Sequence, residues 1–517
     1  MNPKLKSALR RSAIVFGGLV ILTVLFYAVE NWRGKRAWEN YKHEWEAKGE
    51  RFDWQSVVPP RVPDDQNFAL TPIVYPSYGQ ILTRDGKTIP LEKRDTNFVN
   101  RLGMDVYFDV PCNLQPSNEF GSWAKGTKTG LIIWQQYYRS VANSTNGIVV
   151  SPDPQTPAAD VLLALSKYDS AIVELREAAK LPYSRFPVNY NTDCPAAILL
   201  PHLVEIKRCA RLLSLRISAE LQNGQSEKAL DDVKLSLRLI DSIRNEPFII
   251  SHLVRLAIFQ ITMNPIYEGL AEHRWSDAQL AALEAELQKI DFLTDWQTSM
   301  HGERTWSIAL VDWLRRSKKD YWCFIRNDVF GFGKPETIVL TYGPSGWLEQ
   351  NKIHFCNYFT NFNGTIDFNN RTMQPAAALK SDLALNGERC CETSYNPYDY
   401  LGKYLLPTLG ASVKKSAYSQ SSLNLARTAV AMERYRLAHG EYSETLAALA
   451  PQFIAQVPHD VIGGQPLKYR RTADGRFVLY SIGWNEKDDG GVVVFKKYSS
   501  TAVDIEIGDW VWQYPAK

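Results

Sequence analysis

The chain holds 517 residues, 45% of them apolar and 22% charged, which excludes a wholly disordered protein and, at about 150 residues per domain, leaves room for roughly two to four folded units. Lys plus Arg number 59 against 56 Asp plus Glu, a formal charge of +3, so there is no broad positive field to draw in nucleic acid phosphates, and nucleic acid is not an expected partner. The aromatic share of 12% promises ample buried area and wet interfaces.

The first element is a run of 17 residues without charge, 13–29, closed by Glu30, Asn31 and Trp32. At about 1.5 Å per residue it sits at the short end of a bilayer span, and Tyr27 and Trp32 extend it as interfacial anchors. Lys4, Lys6, Arg10 and Arg11 precede the run, and Arg33, Lys35 and Arg36 follow it. With the α-amino group added, the positive excess places the N-terminus in the cytoplasm. The expected location is a bacterial inner membrane, crossed once, with the rest of the chain periplasmic or otherwise exported. A cleaved signal peptide would export the chain too, but Tyr27-Ala28-Val29-Glu30 is a poor cleavage site. Gly17 and Gly18 have no Glu nearby, so processing as a type IV prepilin is not expected.

Seven cysteines, Cys112, Cys194, Cys209, Cys323, Cys356, Cys390 and Cys391, then fall in an oxidising compartment, and their odd number leaves at least one thiol unpaired in a monomer. Two readings stand open: one or two disulfides around Cys323, Cys356, Cys390 and Cys391, or small buried free thiols. No C-x-x-C pair occurs, which removes support for zinc sites and thioredoxin-type chemistry.

The elements then divide the chain into a cytoplasmic tip and anchor (1–31), a juxtamembrane helix and an irregular segment (32–156), a helical bundle (157–316), an aromatic irregular insertion (317–400) and an α+β module (401–517). Residues 32–52 read as a short polar helix, a stalk carrying Trp38, Tyr41 and Trp45 at helical spacing. Residues 53–156, rich in Pro, Asn, Ser and Gly, predict irregular structure wrapped on a neighbour. In the bundle, Ala210, Leu213, Ile217 and Leu221 form one apolar stripe and Leu230, Val233, Leu237 and Ile240 the next, parted by Asn223-Gly224, which predicts an antiparallel helix pair. Its turn resembles that of a tetratricopeptide repeat, but a single such unit predicts an irregular bundle of αα-hairpins more readily than a stacked array. Pro247 opens the next helix and Pro265 interrupts it. Ser276 with Gln279 forms the capping box of another. The insertion, with His354-Phe-Cys-Asn-Tyr-Phe-Thr-Asn-Phe-Asn-Gly364, is either packed on the bundle or the wall of a ligand groove.

The last module predicts a helix over 401–439 ended by Gly440 in the left-handed conformation, a short turn through Leu446, Leu449 and Phe453, and two strands joined at Thr472-Ala-Asp-Gly475 by a two-residue loop. Met432-Glu-Arg-Tyr-Arg-Leu-Ala-His-Gly-Glu-Tyr442, Pro458-His-Asp460, Gly464-Gln-Pro-Leu-Lys-Tyr469, Phe477-Val-Leu-Tyr-Ser-Ile-Gly483 and a stretched Asp504-Ile-Glu-Ile-Gly-Asp-Trp510 together resemble the soluble domain of the major pseudopilins of type II secretion. The match spans about 110 residues. Since some 370 residues part anchor and module, the resemblance does not carry over pilus polymerisation. The arrangement as a whole also resembles uncharacterised membrane-anchored exported bacterial proteins. The fold class expected is therefore mainly α, with a transmembrane helix, an irregular bundle and a pseudopilin-like α+β ending.

Pseudopilins hold calcium in the loop after the second strand, and the resemblance puts that loop at Trp484-Asn-Glu-Lys-Asp-Asp-Gly-Gly491. Asn485, Asp488 and Asp489 offer the hard oxygens calcium needs, with Asp504 or Asp509 as distant ligands. The same residues also make an ordinary solvated turn.

No H-E-x-x-H, G-x-S-x-G, P-loop or G-x-G-x-x-G motif is present. The eight histidines, His43, His202, His252, His273, His301, His354, His439 and His459, lack metal-ligand spacing. His301 and Glu303, two apart on a helix, point to different faces, so with Arg304 they read as a surface cluster at a helix start. The sequence thus points to a non-enzymatic, membrane-anchored binding or scaffolding protein with envelope partners, its alternative being an envelope hydrolase or carbohydrate-binding enzyme that uses the aromatic segment.

Overall fold

The computed structural model describes residues 3–75, 80–82, 88–90, 102–108, 115–116, 120–142, 147–324, 341–390, 396–406, 409–497 and 502–514. It is mainly helical, with a few small antiparallel sheets. Helix α1 (Pro3–Glu46) runs without a break for 44 residues, about 66 Å at the helical rise. Its apolar part has no buried residue, while Glu30, Gly34 and Trp38 farther along are buried. The free polar stalk expected after the anchor is thus the same helix continued and built into the body. Between it and the bundle the described residues hold short turns, a hairpin of β1 (Gln80–Leu82) and β2 (Thr88–Pro90), and α2 (Leu131–Val141), which buries Trp134, Tyr137 and Tyr138.

The bundle comprises α3 (Pro157–Leu165), α4 (Asp169–Ala179), α5 (His202–Gln222), α6 (Ser226–Ser242), α7 (Ile249–Ala271), α8 (Asp277–Leu287) and α9 (Phe292–Arg316). Helices α5 and α6 form the hairpin read from their stripes, and Gly224 supplies the turn with φ +73°. Ser276 and Gln279 exchange both bonds of the capping box at the start of α8. Pro265 does not end α7. Proline removes the bond that would close on the carbonyl four residues back, and the freed oxygen of Ile261 accepts from Ser214 Oγ of α5 at 3.2 Å.

The segment expected to be irregular contains α10 (Lys318–Phe324), α11 (Gly346–Asn363), a two-residue hairpin, β3 (Ile366–Asp367) with β4 (Thr372–Met373), and α12 (Pro375–Cys390). Helix α11 lies between α1 and α9 and buries Phe355, Tyr358, Phe359 and Phe362. A helix covered on several sides has no polar stripe, which is why its period is hard to read. Cys194, Cys209, Cys323 and Cys356 carry free thiols. Cys112 and Cys391, and the side chain of Cys390, lie outside the described residues.

The helix expected over 401–439 is two: α13 (Tyr400–Leu405) and α14 (Leu409–His439), with Pro407 in the sequence between them. Gly440 ends α14 at φ +83°. Helix α14 packs on α7, α8 and α9 and buries Ser416, Ser419, Ser421, Ser422 and Ala429–Ala431 in a row of small residues that lets three helices approach. One core cluster joins residues of the bundle to Leu425, Met432, Phe477 and Trp512, so bundle and C-terminal segment share their interior. The sheet there has the order β5 (Lys468–Arg471), β6 (Phe477–Ser481), β9 (Trp510–Trp512), beside the pair β7 (Val493–Phe495) and β8 (Val503–Gly508). The loop between β5 and β6 spans residues 472–476 rather than two, and in it Gly475 alone has a positive φ.

Candidate functional site

Each residue set singled out from the sequence has a defined place. In the loop after β6, Asp488 Oδ1 accepts from the Tyr480 hydroxyl at 2.9 Å, and its other oxygen pairs with Lys468 Nζ at 3.1 Å. Asn485 Nδ2 donates to Asp489 Oδ2 at 2.9 Å. Asp509, at the start of β9, accepts from three backbone amides: Asp489 N at 3.3 Å, and Gly491 N and Val492 N at 2.6 and 3.3 Å. Asp504 Oδ1 accepts from Glu506 N at 3.0 Å. Calcium needs six to eight oxygens turned toward one point. Here the carboxylates face a lysine, a phenol and amide donors instead, and among the described residues no three His, Cys, Asp or Glu side chains form a metal cluster. The donor set does not fit calcium as it stands, and the loop is ordered by its own carboxylate-to-amide bonds.

His301 and Glu303 do point apart, but they sit mid-helix on α9 and Glu303 is half-buried. Its carboxyl accepts from Ile249 N at 2.8 Å, and burial pushes its pKa up to about 7. His301 lies 4.0 Å from Glu50, whose carboxylate binds the buried Arg304. A second polar set, missed in the sequence, is His202, Glu246 and Ser251. The glutamate accepts from both others, at 2.7 Å from His202 and 2.5 Å from Ser251, so the serine is not activated by the histidine, and all three are buried. Both sets tie helices together.

The aromatic stretch around Trp347 to Phe362 is core rather than groove wall, and its exposed edge meets α1. Glu30, the first carboxylate after the apolar run, is 8% exposed. It accepts from Trp347 Nε1 at 3.1 Å, the Tyr398 hydroxyl at 3.0 Å and Arg33 at 3.1 Å. Asn31 Oδ1 accepts from Gly346 N at 2.9 Å and Ser345 Oγ at 3.0 Å, so α1 caps the otherwise unsatisfied N-terminus of α11. Gly34 and Gly346 face each other with no space for a Cβ on either. Farther along, Lys352 lies 4.4 Å over the Trp38 ring and Tyr41 donates to Asn357 at 3.0 Å. At the outer rim Trp32, 63% exposed, stands beside Arg36 at 5.4 Å, an aromatic and basic pairing suited to lipid headgroups.

No protein-family model matches the chain, and neither a curated protein nor a solved structure matches it.

Proposed function

We propose that the protein is a single-pass membrane protein of a bacterial envelope whose exported body binds or scaffolds partner proteins. The observation that carries this reading is α1: its apolar part stands exposed, meeting the body only near its end, where Phe26 packs against Trp347 and Tyr27 donates to the Tyr342 carbonyl, and its polar part caps and packs α11. The exposed part has the composition of a bilayer span; contact with the body begins at Phe26 and Tyr27, and the first buried residue among those described is Glu30, where the uncharged run ends. No linker separates the two, so the body sits directly against the membrane surface. The basic residues Lys4, Lys6, Arg10 and Arg11 support a cytoplasmic N-terminus.

The sequence of long helix, glycine cap, short turn and antiparallel strands over residues 409–512 supports the likeness to major pseudopilins. Helix α14 is enclosed by α7, α8 and α9, which speaks for a fixed structural use rather than pilus assembly through it. The aromatic segment, being core, no longer motivates a hydrolase there. Reporter fusions test the topology: alkaline phosphatase joined after residue 514 is expected to be active and a fluorescent protein joined at the same place dark. The reverse pattern would overturn the orientation.

A further inference from the structure

A cleft of about 790 Å³ opens where residues 120–130 cross α5, α7, α14 and β8. Among the described residues its wall contains Arg211, Lys125 and Lys128 and no carboxylate. Helix α7 builds it by presenting Gln260, Asn264 and Glu268 at spacings of four, on one face. Gln260 Oε1 accepts from Trp123 Nε1 at 3.1 Å, Asn264 Oδ1 from Trp123 N at 3.2 Å, and Glu268 from the amide and hydroxyl of Thr129 at 2.9 and 2.7 Å. Gln260 Nε2 in turn reaches Ser419 and Ser422 of α14 at 3.3 and 3.2 Å. Trp123 stacks on Tyr418 with ring centres 5.7 Å apart. The cleft is therefore held in one shape.

Arg211 is the anomaly. Burying a guanidinium without a partner is unfavourable, and other arginines of the body meet carboxylates: Arg216 with Asp232 at 2.8 Å, Arg255 with Asp295 at 2.5 Å, Arg427 with Glu284 at 2.7 Å. Arg211 is half-buried yet makes no hydrogen bond or ion pair among the described residues. Lys128 is joined to Glu272 at 2.5 Å outside the cleft wall and Lys125 lies 5.2 Å over the Phe495 ring, so among the described residues Arg211 is the cation left for a ligand.

We propose that this cleft binds a small organic anion, a phosphate monoester or a carboxylic acid in its ionised form, whose oxygens take the planar fork of Arg211 while its carbon skeleton lies along Phe120 and Tyr107. Guanidinium matches such oxygens two at a time. The proposal stands apart from the membrane reading, because the cleft belongs to the body.

The test is calorimetric titration of the full chain in detergent with glucose 6-phosphate, inorganic phosphate and glucuronate, against glucose as the neutral control. At least one of the three anions is expected to bind and glucose not; the ranking of phosphate over glucuronate distinguishes the two oxyanion sources. Arg211→Gln is expected to weaken binding on the order of tenfold or more, while Lys180→Gln, on the far exposed end of α4, leaves it unchanged. Should Arg211→Gln lose its fold by circular dichroism, Arg211→Lys serves instead, with a smaller loss expected because the fork is gone and the charge kept. No binding by any of the three anions, or binding unaffected by the arginine variants, overturns the proposal.

Discussion

Gly34 of α1 and Gly346 of α11 meet backbone to backbone, and a Cβ on either would overlap the other helix. Two glycines at one crossing let the anchor helix lie close enough for Asn31 to reach the amide of Gly346. Gly34→Leu is expected to push α1 from α11 and to lower stability by about 1–3 kcal/mol, with faster proteolysis after Arg36 in the full chain. Unchanged melting and proteolysis would show that the crossing is not a tight one.

Glu30 joins Arg33 of its own helix to Trp347 and Tyr398, from two other parts of the chain. Glu30→Ala leaves Trp347 Nε1 and the Tyr398 hydroxyl without their acceptor, at a cost of about 1–3 kcal/mol in chemical denaturation. Glu30→Gln keeps an acceptor and loses the charge, so a smaller loss is expected.

Ser214 and Pro265 form a compensating pair. Ser214→Ala strands the carbonyl of Ile261 and is expected to cost about 1 kcal/mol. In the Pro265→Ala background the helix bond is restored and the serine matters less. A double-mutant cycle with no coupling would refute the link.

Glu303 and His252 give opposite pH dependences. Glu303 has its pKa raised from 4.5 to about 7. The folded state therefore holds a proton that the unfolded state releases, and stability falls as pH rises from about 4.5 through 7. His252, buried and bonded to Ser416 Oγ at 2.9 Å, has its pKa lowered from 6.5 to about 3 by burial and then by Arg255. It resists a proton that the unfolded chain accepts, so stability is lost as pH falls below about 6.5. The advantage of Glu303→Gln over the natural protein is expected to grow on going from pH 5 to pH 7, and that of His252→Gln to grow on going from pH 7 to pH 5. Any pH-independent effect of the substitutions cancels in these differences. Parallel denaturation curves at both pH values would contradict both assignments.

Asp509 holds the loop after β6. Asp509→Ala removes the acceptor of three amides and is expected to lower stability by about 1–3 kcal/mol. Because the loop carboxylates are already engaged, calcium and a chelator are expected to leave the melting temperature of the full chain unchanged. A chelator-sensitive shift would restore the calcium reading of Asn485, Asp488 and Asp489.

What could be read from the sequence was local. The uncharged run of residues 13–29, the stripes of α5 and α6, the Ser276 and Gln279 capping box and the Gly440 cap each depend on a few neighbouring residues, and each is found in the structure. What escaped depends on distant partners. Pro265 reads as a helix breaker until Ser214 supplies its missing donor. The aromatic residues of α11 leave a packed insertion and a groove wall both open until α1 and α9 are seen to cover them. The row of serines in α14 gives no apolar stripe, although it is nearly all interior. The cleft at Arg211 has no motif at all, since its wall comes from six separate parts of the chain.

The membrane anchor is tested most directly by washing membranes that contain the full chain with alkaline carbonate and sedimenting them. The intact protein, at its uncleaved length, is expected to stay in the pellet, and a chain lacking residues 1–29 to move to the supernatant. Release of the full chain by carbonate, or its recovery as a shortened soluble form, would contradict a membrane span in α1.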